Sequence, residues 1–290
     1  MGIGGWLTWE AAARIVHNRT GYRTLIHHRG LKNTPVTNFI FERSPFVVTE
    51  PLEDLLDAHS IDITNPLANY CKLDAPDYAI HKDDGRHMIS IVADAIMGSK
   101  IRSFYIPEEI YCNLYIEDSK IETTKNRLAN DYGTPVVAIE PNSKTNYTVN
   151  RAYPLEKWEY VCEKIRAQGA AVVQVGKGPY LLKNIDHSFV NQTDFINATK
   201  IIAACDAFMS SEGGLVHAAS NYRHSIVVQT SYNPKPMVEY PFNKNIWIGN
   251  HNPCGMKVEC NKCTAEASAH DPIEILEALE NQLNNATSKE

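Results

Sequence analysis

Ala207-Phe208-Met209-Ser210-Ser211-Glu212-Gly213-Gly214-Leu215-Val216-His217-Ala218-Ala219 joins a short apolar run, a pair of glycines and a second apolar run. The order reads as strand, tight turn, helix. Such a turn leaves backbone N–H groups at a helix start, where they can face an anion. Glu212 and His217 bracket it. A nucleotide-linked substrate lying across the turn would set phosphates toward Gly213 and Gly214 and a hydroxyl toward Glu212. A tight turn without a ligand would carry the same glycines.

The same grammar runs through the rest of the second half. Val136–Glu140 reads as a buried strand and Pro154–Ala167 as a helix with Leu155, Trp158, Val161 and Ile165 on one face, stopped by Gly169. Ala170–Val175 is the next strand, Asp194–Ala204 a helix, and Ile226–Gln229 a further strand. Continuous apolar strands separated by helices predict a parallel sheet covered on both faces. Binding is then expected at the C-terminal ends of the strands. The last helix has Asp271 as its cap, Pro272 at its first position and Glu274 as a capping-box acid. One course open to it is to cross back onto the first domain.

The first half is less regular. Trp6, Trp9, Ala13 and Val16 recur at helical spacing after Gly2-Ile3-Gly4-Gly5. A strand over Tyr22–His27 follows, with helices around Leu52, Leu55 and Leu56, over 87–98, and from Ile116 toward Gly133. The chain thus opens on loop and helix, where a nucleotide-binding fold ordinarily opens on a strand. The expected division is 1–132 and 133–290.

With 290 residues, two domains with real cores are affordable, and 43% hydrophobic against 21% charged residues is a globular balance. Net charge is −6 and there is no long basic tract, so a nucleic-acid partner is not expected. No run is long enough to cross a bilayer. The opening lacks the basic segment and cleavage signal of a secretory leader, which predicts a cytoplasmic location. Of the seven cysteines, Cys71, Cys112, Cys162 and Cys205 are dispersed in apolar or mixed surroundings and read as buried thiols.

Several residues have the chemistry of a phosphate or sugar site. Ser143, Lys144 and Arg151 follow the strand ending at Glu140; an arginine can grip two phosphate oxygens while a lysine supplies a mobile point charge. A solvated loop would look the same. Gly176-Lys177-Gly178 follows the next strand but lacks the ending of a P-loop. Gly4 and Gly5 offer an acceptor or phosphate loop. Glu10, Asp83 and Asp84 are first-domain carboxylates able to take a proton from a hydroxyl. Tyr232-Asn233-Pro234-Lys235-Pro236 reads as a rigid loop. His251, Cys254, Cys260 and Cys263 have the donor types of a structural zinc site, although their spacing differs from the common finger; reduced thiols in a loop fit equally.

From Pro135-Val136-Val137-Ala138-Ile139, through Arg151-Ala152-Tyr153-Pro154-Leu155-Glu156-Lys157-Trp158 and Val172-Val173-Gln174-Val175-Gly176, to Cys205-Asp206-Ala207-Phe208 and Ser211–Ala219, the chain resembles the heptosyltransferase-like glycosyltransferases, relatives of the ADP-heptose:lipopolysaccharide transferases. The resemblance covers 133–290 well and the first half chiefly over Gly2–Ala13. It implies an α/β fold of two facing Rossmann-like domains (GT-B architecture), here with a reduced N-terminal domain. It implies an acceptor-binding domain over 1–132 and a donor-binding domain over 133–290. The activity implied is metal-independent, inverting sugar transfer from a nucleotide-diphosphate donor to a hydroxyl acceptor such as a cell-envelope glycan. Contact with the inner membrane would come only through that acceptor. Ser143, Lys144 and Arg151 would face the diphosphate, and Glu212, Gly213, Gly214 and His217 would form the donor turn. Gly5 stands where the family carries an acidic residue. That departure keeps open a non-catalytic nucleotide-sugar or glycan binder, and a nucleotide-sugar epimerase shares the layout.

Overall fold

The structure, a computed structural model, describes residues 2–52, 58–68, 85–98, 106–133, 135–142 and 148–287. The expected helix around Leu55 and Leu56 lies outside these residues, as do Cys71, Asp83, Asp84, Ser143 and Lys144. Contacts divide the chain into two compact units. The first takes 1–115 and returns for 234–241; the second takes 116–233 and 242–290.

The first unit begins with helix α1 (Ile3–Thr20). Gly2 is its N-cap, so Gly4 and Gly5 occupy its first turn instead of a loop ahead of it. The Gly5 N–H already donates to the Gly2 carbonyl at 3.0 Å. The spacing of Trp6, Trp9, Ala13 and Val16 predicts a one-sided helix. In fact every residue from Leu7 to Val16 is buried, Glu10 and Arg14 included. A helix buried on all faces must satisfy its polar groups internally. Arg14 does so by donating to the carbonyls of Glu109 and Tyr111, each at 2.9 Å. Strands β1 (Arg23–His27) and β2 (Ala58–Asp62) pair in parallel, and helix α2 (Met88–Ile96) packs on α1. The returning segment closes this unit: Tyr240 is buried, its hydroxyl 3.2 Å from Cys112 Sγ and its ring 4.7 Å from that of His87.

The second unit is a six-stranded, all-parallel sheet. Its strands are β3 (Val136–Glu140), β4 (Ala171–Gln174), β5 (His187–Ser188), β6 (Ala207–Ser211), β7 (Ser225–Gln229) and β8 (Lys244–Trp247), in spatial order β5-β4-β3-β6-β7-β8. Counted within the unit this is 3-2-1-4-5-6, the order of doubly wound nucleotide-binding sheets. Helix α3 (Asp118–Tyr132) packs on α5 (Phe195–Ala204) and touches β3. By these contacts α3 groups with the second unit, and the compact units separate at 115/116. The main core joins Val137, Ile139, Val172, Met209 and Val228 of the sheet to Trp158, Val161 and Ile165 of α4 (Leu155–Ala167).

Helix α6 (Gly214–Ala219) follows β6 directly, and the expected Tyr232–Pro236 loop runs as a turn through Pro234, the N-cap of the short helix α7 (Lys235–Val238). Helices α8 (Asn261–Ala269) and α9 (Ile273–Thr287) end the chain. Ile275, Ala278 and Leu279 of α9 enter the core around Trp158, within the helix's own unit. Its start is capped as expected, with the Ile273 N–H donating to Asp271 Oδ1 at 3.0 Å. Cys112, Cys162 and Cys205 are buried and in no disulfide among the described residues, and burial pushes Cys162 up to about 12. No helix among the described residues is long and apolar enough to cross a membrane.

Candidate functional site: the carboxyl edge of the second sheet

In the second unit the strand order departs in opposite directions from β3, to β4 on one side and β6 on the other. At such a switch point the loops after neighbouring strands diverge and leave a crevice. The loops that follow β3, β4 and β6 carry Arg151, Gly176–Gly178 and Glu212.

Glu212 is buried beside two basic groups. Arg151 Nη1 donates to its Oε2 at 2.6 Å, and His217 Nε2 stands 3.3 Å from its Oε1. The side chains of Arg151 and Glu212 are 15% and 7% exposed. The Tyr232 ring centroid is 5.5 Å from the guanidinium carbon. Burial alone would raise the Glu212 pKa. The charge of Arg151 and the hydrogen bond and charge of His217 outweigh it and hold the carboxyl at about 2. Glu212 is therefore an anion at any ordinary pH, in a charge-assisted cluster.

Glu140 is the residue that sequence reasoning missed as part of the site. It ends β3 opposite Ser210 of β6. Ser210 Oγ donates to its carbonyl at 3.1 Å and lies 3.4 Å from its Oε2. Burial raises its pKa, the Ser210 bond and Arg151 offset part of this, and the Glu212 charge adds to it; the carboxyl stands at about 8. Two neighbouring carboxyls thus hold opposite states at neutral pH, Glu212 ionised and Glu140 carrying a proton it can donate. Environments that push paired pKa values apart divide acceptor from donor work. The only advance signal was position: a lone acid closing an apolar strand.

A carboxyl whose folded pKa is raised stabilises the fold most below its unfolded value and loses that contribution as pH rises through the folded one. Wild-type stability is expected to fall between about pH 4.5 and 8 through this group, and Glu140→Gln to flatten that slope. Denaturant unfolding across the interval reads both; identical slopes would show that Glu140 titrates as it does in water.

The two glycine turns have different causes. Gly176 has φ +101, and a Cβ there would sit 2.8 Å from Glu140 Oε1. At Gly178 a Cβ would meet Asn142 Cγ at 2.5 Å. Asn142 Nδ2 in turn donates to the Tyr180 carbonyl at 2.9 Å. These glycines are required by close approach to the protein's own side chains, and Lys177 between them is exposed. Gly213 is different. Its backbone is extended, and a Cβ would find only ordinary contacts, at 3.8 Å to the Ser211 carbonyl and 3.9 Å to Glu140 Oε2. At Gly214 the nearest atom is at 3.5 Å, on Phe195. Packing explains neither residue. Beside them, the buried Ser211 Oγ has no hydrogen-bond partner among the described residues.

Arg151, Gly176, Glu212, Gly213, Gly214 and His217 therefore belong to one strand-end region. Glu10, Gly4 and Gly5 belong to the first unit. Glu10 has no exposed surface; Ser44 Oγ donates to its Oε1 at 3.0 Å and the Tyr115 hydroxyl at 2.5 Å. Burial raises its pKa against these hydrogen bonds and the Arg14 charge. A cleft of about 430 Å³ lined by Tyr132, Arg166 and Asp186 lies at the other end of the sheet, beside the start of β4, and its Arg166 is paired with Asp186 at 3.0 Å. His251, Cys254, Cys260 and Cys263 do come together, with all four ligand atoms within 4.8 Å of one another.

No protein-family model and no curated protein sequence matches the chain. Solved structures do. ADP-heptose lipopolysaccharide heptosyltransferase II of E. coli aligns with a TM-score of 0.63 at 13% identity, over 98% of this chain and 97% of that one. A glycosyl transferase family 9 protein from Veillonella parvula gives 0.63 at 10% identity, over 98% and 95%. The E. coli heptosyltransferase WaaC, solved with ADP, gives 0.55 at 11% identity, over 97% of each chain. Along nearly its whole length, the chain has the fold of heptosyltransferase and family 9 glycosyltransferase structures.

Proposed function

We propose that this chain is an inverting glycosyltransferase that takes a sugar from a nucleotide-diphosphate donor held at the carboxyl edge of the second sheet. The observation that carries the reading is the buried Arg151–Glu212–His217 cluster, set at the switch point where Glu140 ends β3. Positive charge from Arg151, with Lys144 and Lys177 as further cations, would stabilise the diphosphate as it leaves. Glu140 would donate a hydrogen bond. Glu212 would hold the guanidinium in place and accept from a donor hydroxyl. Ser143, Gly176, Gly213 and Gly214 would line the phosphate side. In the transfer step the acceptor oxygen bonds to the anomeric carbon, and the bond from that carbon to the diphosphate oxygen breaks. The acceptor proton passes to a carboxylate base, for which the sequence offers Glu10, Asp83 and Asp84. The nucleotide diphosphate departs on the opposite face, which inverts the centre. No step calls for a metal.

Transfer is tested by supplying ADP-, UDP- and GDP-sugars with hydroxyl acceptors and reading anomeric configuration by NMR. Retained configuration would overturn the mechanism. Conversion of a donor without an acceptor would show an epimerase. Gly213→Ala gives a sharper test of place. It meets no close atom, so its melting temperature should match wild type, while binding of a nucleoside diphosphate should weaken about tenfold, or about 1.4 kcal/mol. Unchanged affinity would remove the glycine turn from the site.

One observation favours a second reading, a donor-binding protein without turnover: Glu10 has no exposed surface. The resemblance, which implies an acid where this chain has Gly5, points the same way. Nucleotide-sugar binding by calorimetry with no product across the acceptor panel would establish it.

A further inference from the structure

The geometry points to a zinc ion held by His251, Cys254, Cys260 and Cys263, forming a knuckle that braces the loop carrying Arg151. Zinc takes thiolate sulfur at about 2.3 Å and imidazole nitrogen at about 2.0–2.1 Å in a tetrahedron, which sets S···S near roughly 3.8 Å and S···N near roughly 3.6 Å. Here Cys254 Sγ and Cys263 Sγ are 3.6 Å apart, and His251 Nε2 lies 3.7 Å from Cys263 Sγ and 3.9 Å from Cys260 Sγ. The sulfurs of Cys254 and Cys263 are far beyond the roughly 2.05 Å of a disulfide.

The surroundings suit a metal as well as the spacing does. His251 Nδ1 is 2.9 Å from Glu266 Oε2, on α8. A carboxylate there fixes the proton on Nδ1 and leaves the Nε2 lone pair facing the sulfurs. The other oxygen of Glu266 accepts from the Asn250 N–H at 2.9 Å, which pins the turn before the histidine. Four protein ligands fill a tetrahedron, so the centre is structural, with no position left for a reacting water.

What the knuckle braces follows from Asn150, which is 2% exposed. Its Nδ2 donates to the Met256 and Val258 carbonyls, both at 2.8 Å, and its Oδ1 accepts from the Cys260 N–H at 2.7 Å. The side chain therefore reads the backbone between two ligands, and the next residue is Arg151. From the other side the Cys254 N–H donates to the Ser231 carbonyl at 2.9 Å and the Gly255 N–H to the Tyr232 carbonyl at 3.1 Å. Tyr232 is the ring under the Arg151 guanidinium. Both flanks of Arg151 are thus tied to one metal-bound segment.

The test begins with the unaltered full chain, purified reduced and without chelator. Elemental analysis should give about one zinc per chain. After exchange with cobalt, a thiolate-to-metal charge-transfer band and intense tetrahedral d–d bands should appear. Less than about a tenth of an equivalent, still absent after zinc titration under reducing conditions, would overturn the site; so would stoichiometric iron, or a Cys254–Cys263 disulfide in place of metal. Bracing is read separately, by hydrogen exchange of zinc-loaded and zinc-stripped protein. Amides at 148–152 and 230–232 should exchange at least about tenfold faster after stripping. Unchanged exchange there, with zinc bound at one equivalent, would leave the metal and overturn the bracing. Neither measurement depends on sugar transfer.

Discussion

Glu212→Gln should lower stability by about 3–5 kcal/mol, because it breaks the largely buried charge pair with Arg151. In a unit of this size that corresponds to a melting temperature lower by on the order of 10 °C. The pH dependence is distinctive. Glu212 has its folded pKa depressed to about 2 from an ordinary 4.5. Its contribution is therefore present above the unfolded value and is lost as pH falls through the folded one, an effect of about 3 kcal/mol. Wild type should shed that stability between about pH 4.5 and 2, and the variant should not. Thermal unfolding at several pH values reads both numbers. A variant as stable as wild type at pH 7 would mean that water, not Arg151, satisfies this carboxylate.

Arg151→Lys should separate function from fold. A lysine keeps the positive charge beside Glu212 but not the planar fork that can serve a carboxylate and a diphosphate together. Secondary structure should persist, while kcat/KM for sugar transfer falls about 10²- to 10³-fold, the usual cost of removing one aimed electrostatic donor. Circular dichroism at the assay temperature, beside donor-dependent initial rates, distinguishes the two effects. Wild-type rates in the lysine variant would take Arg151 out of the diphosphate site.

The second sheet was legible because its strands are apolar throughout and its helices carry their own stops. Val136–Glu140 and Leu155–Ala167 differ from expectation by a residue at most. Elements lacking that contrast stayed hidden. Strand β8 is Lys-Asn-Ile-Trp, with one fully buried residue, and β5 is two residues long. Helix α8 is mainly polar and hidden among the cysteines. In the first unit α1 is buried on every side, so no stripe could tell which face mattered. Of the candidate site, Arg151 and Glu212 were legible as strand-end residues, but not as a pair: 61 positions separate them, and only the sheet order brings them to one edge. Glu140 was harder, since nothing in Val-Val-Ala-Ile-Glu says that the final acid will be enclosed by its neighbours.

Tyr240 gives the chain an awkward order of birth. The first unit emerges from the ribosome first, yet its segment 234–241 is made after most of the second unit. Until then His87 and Cys112 lack the aromatic ring that covers them. Domains that fold as they are synthesised ordinarily finish from the N-terminus onward. Here the earliest unit must wait, part-built, for a residue translated 125 positions after its main stretch ends at Tyr115. A gene fragment cut at that point would encode a body with its last piece missing.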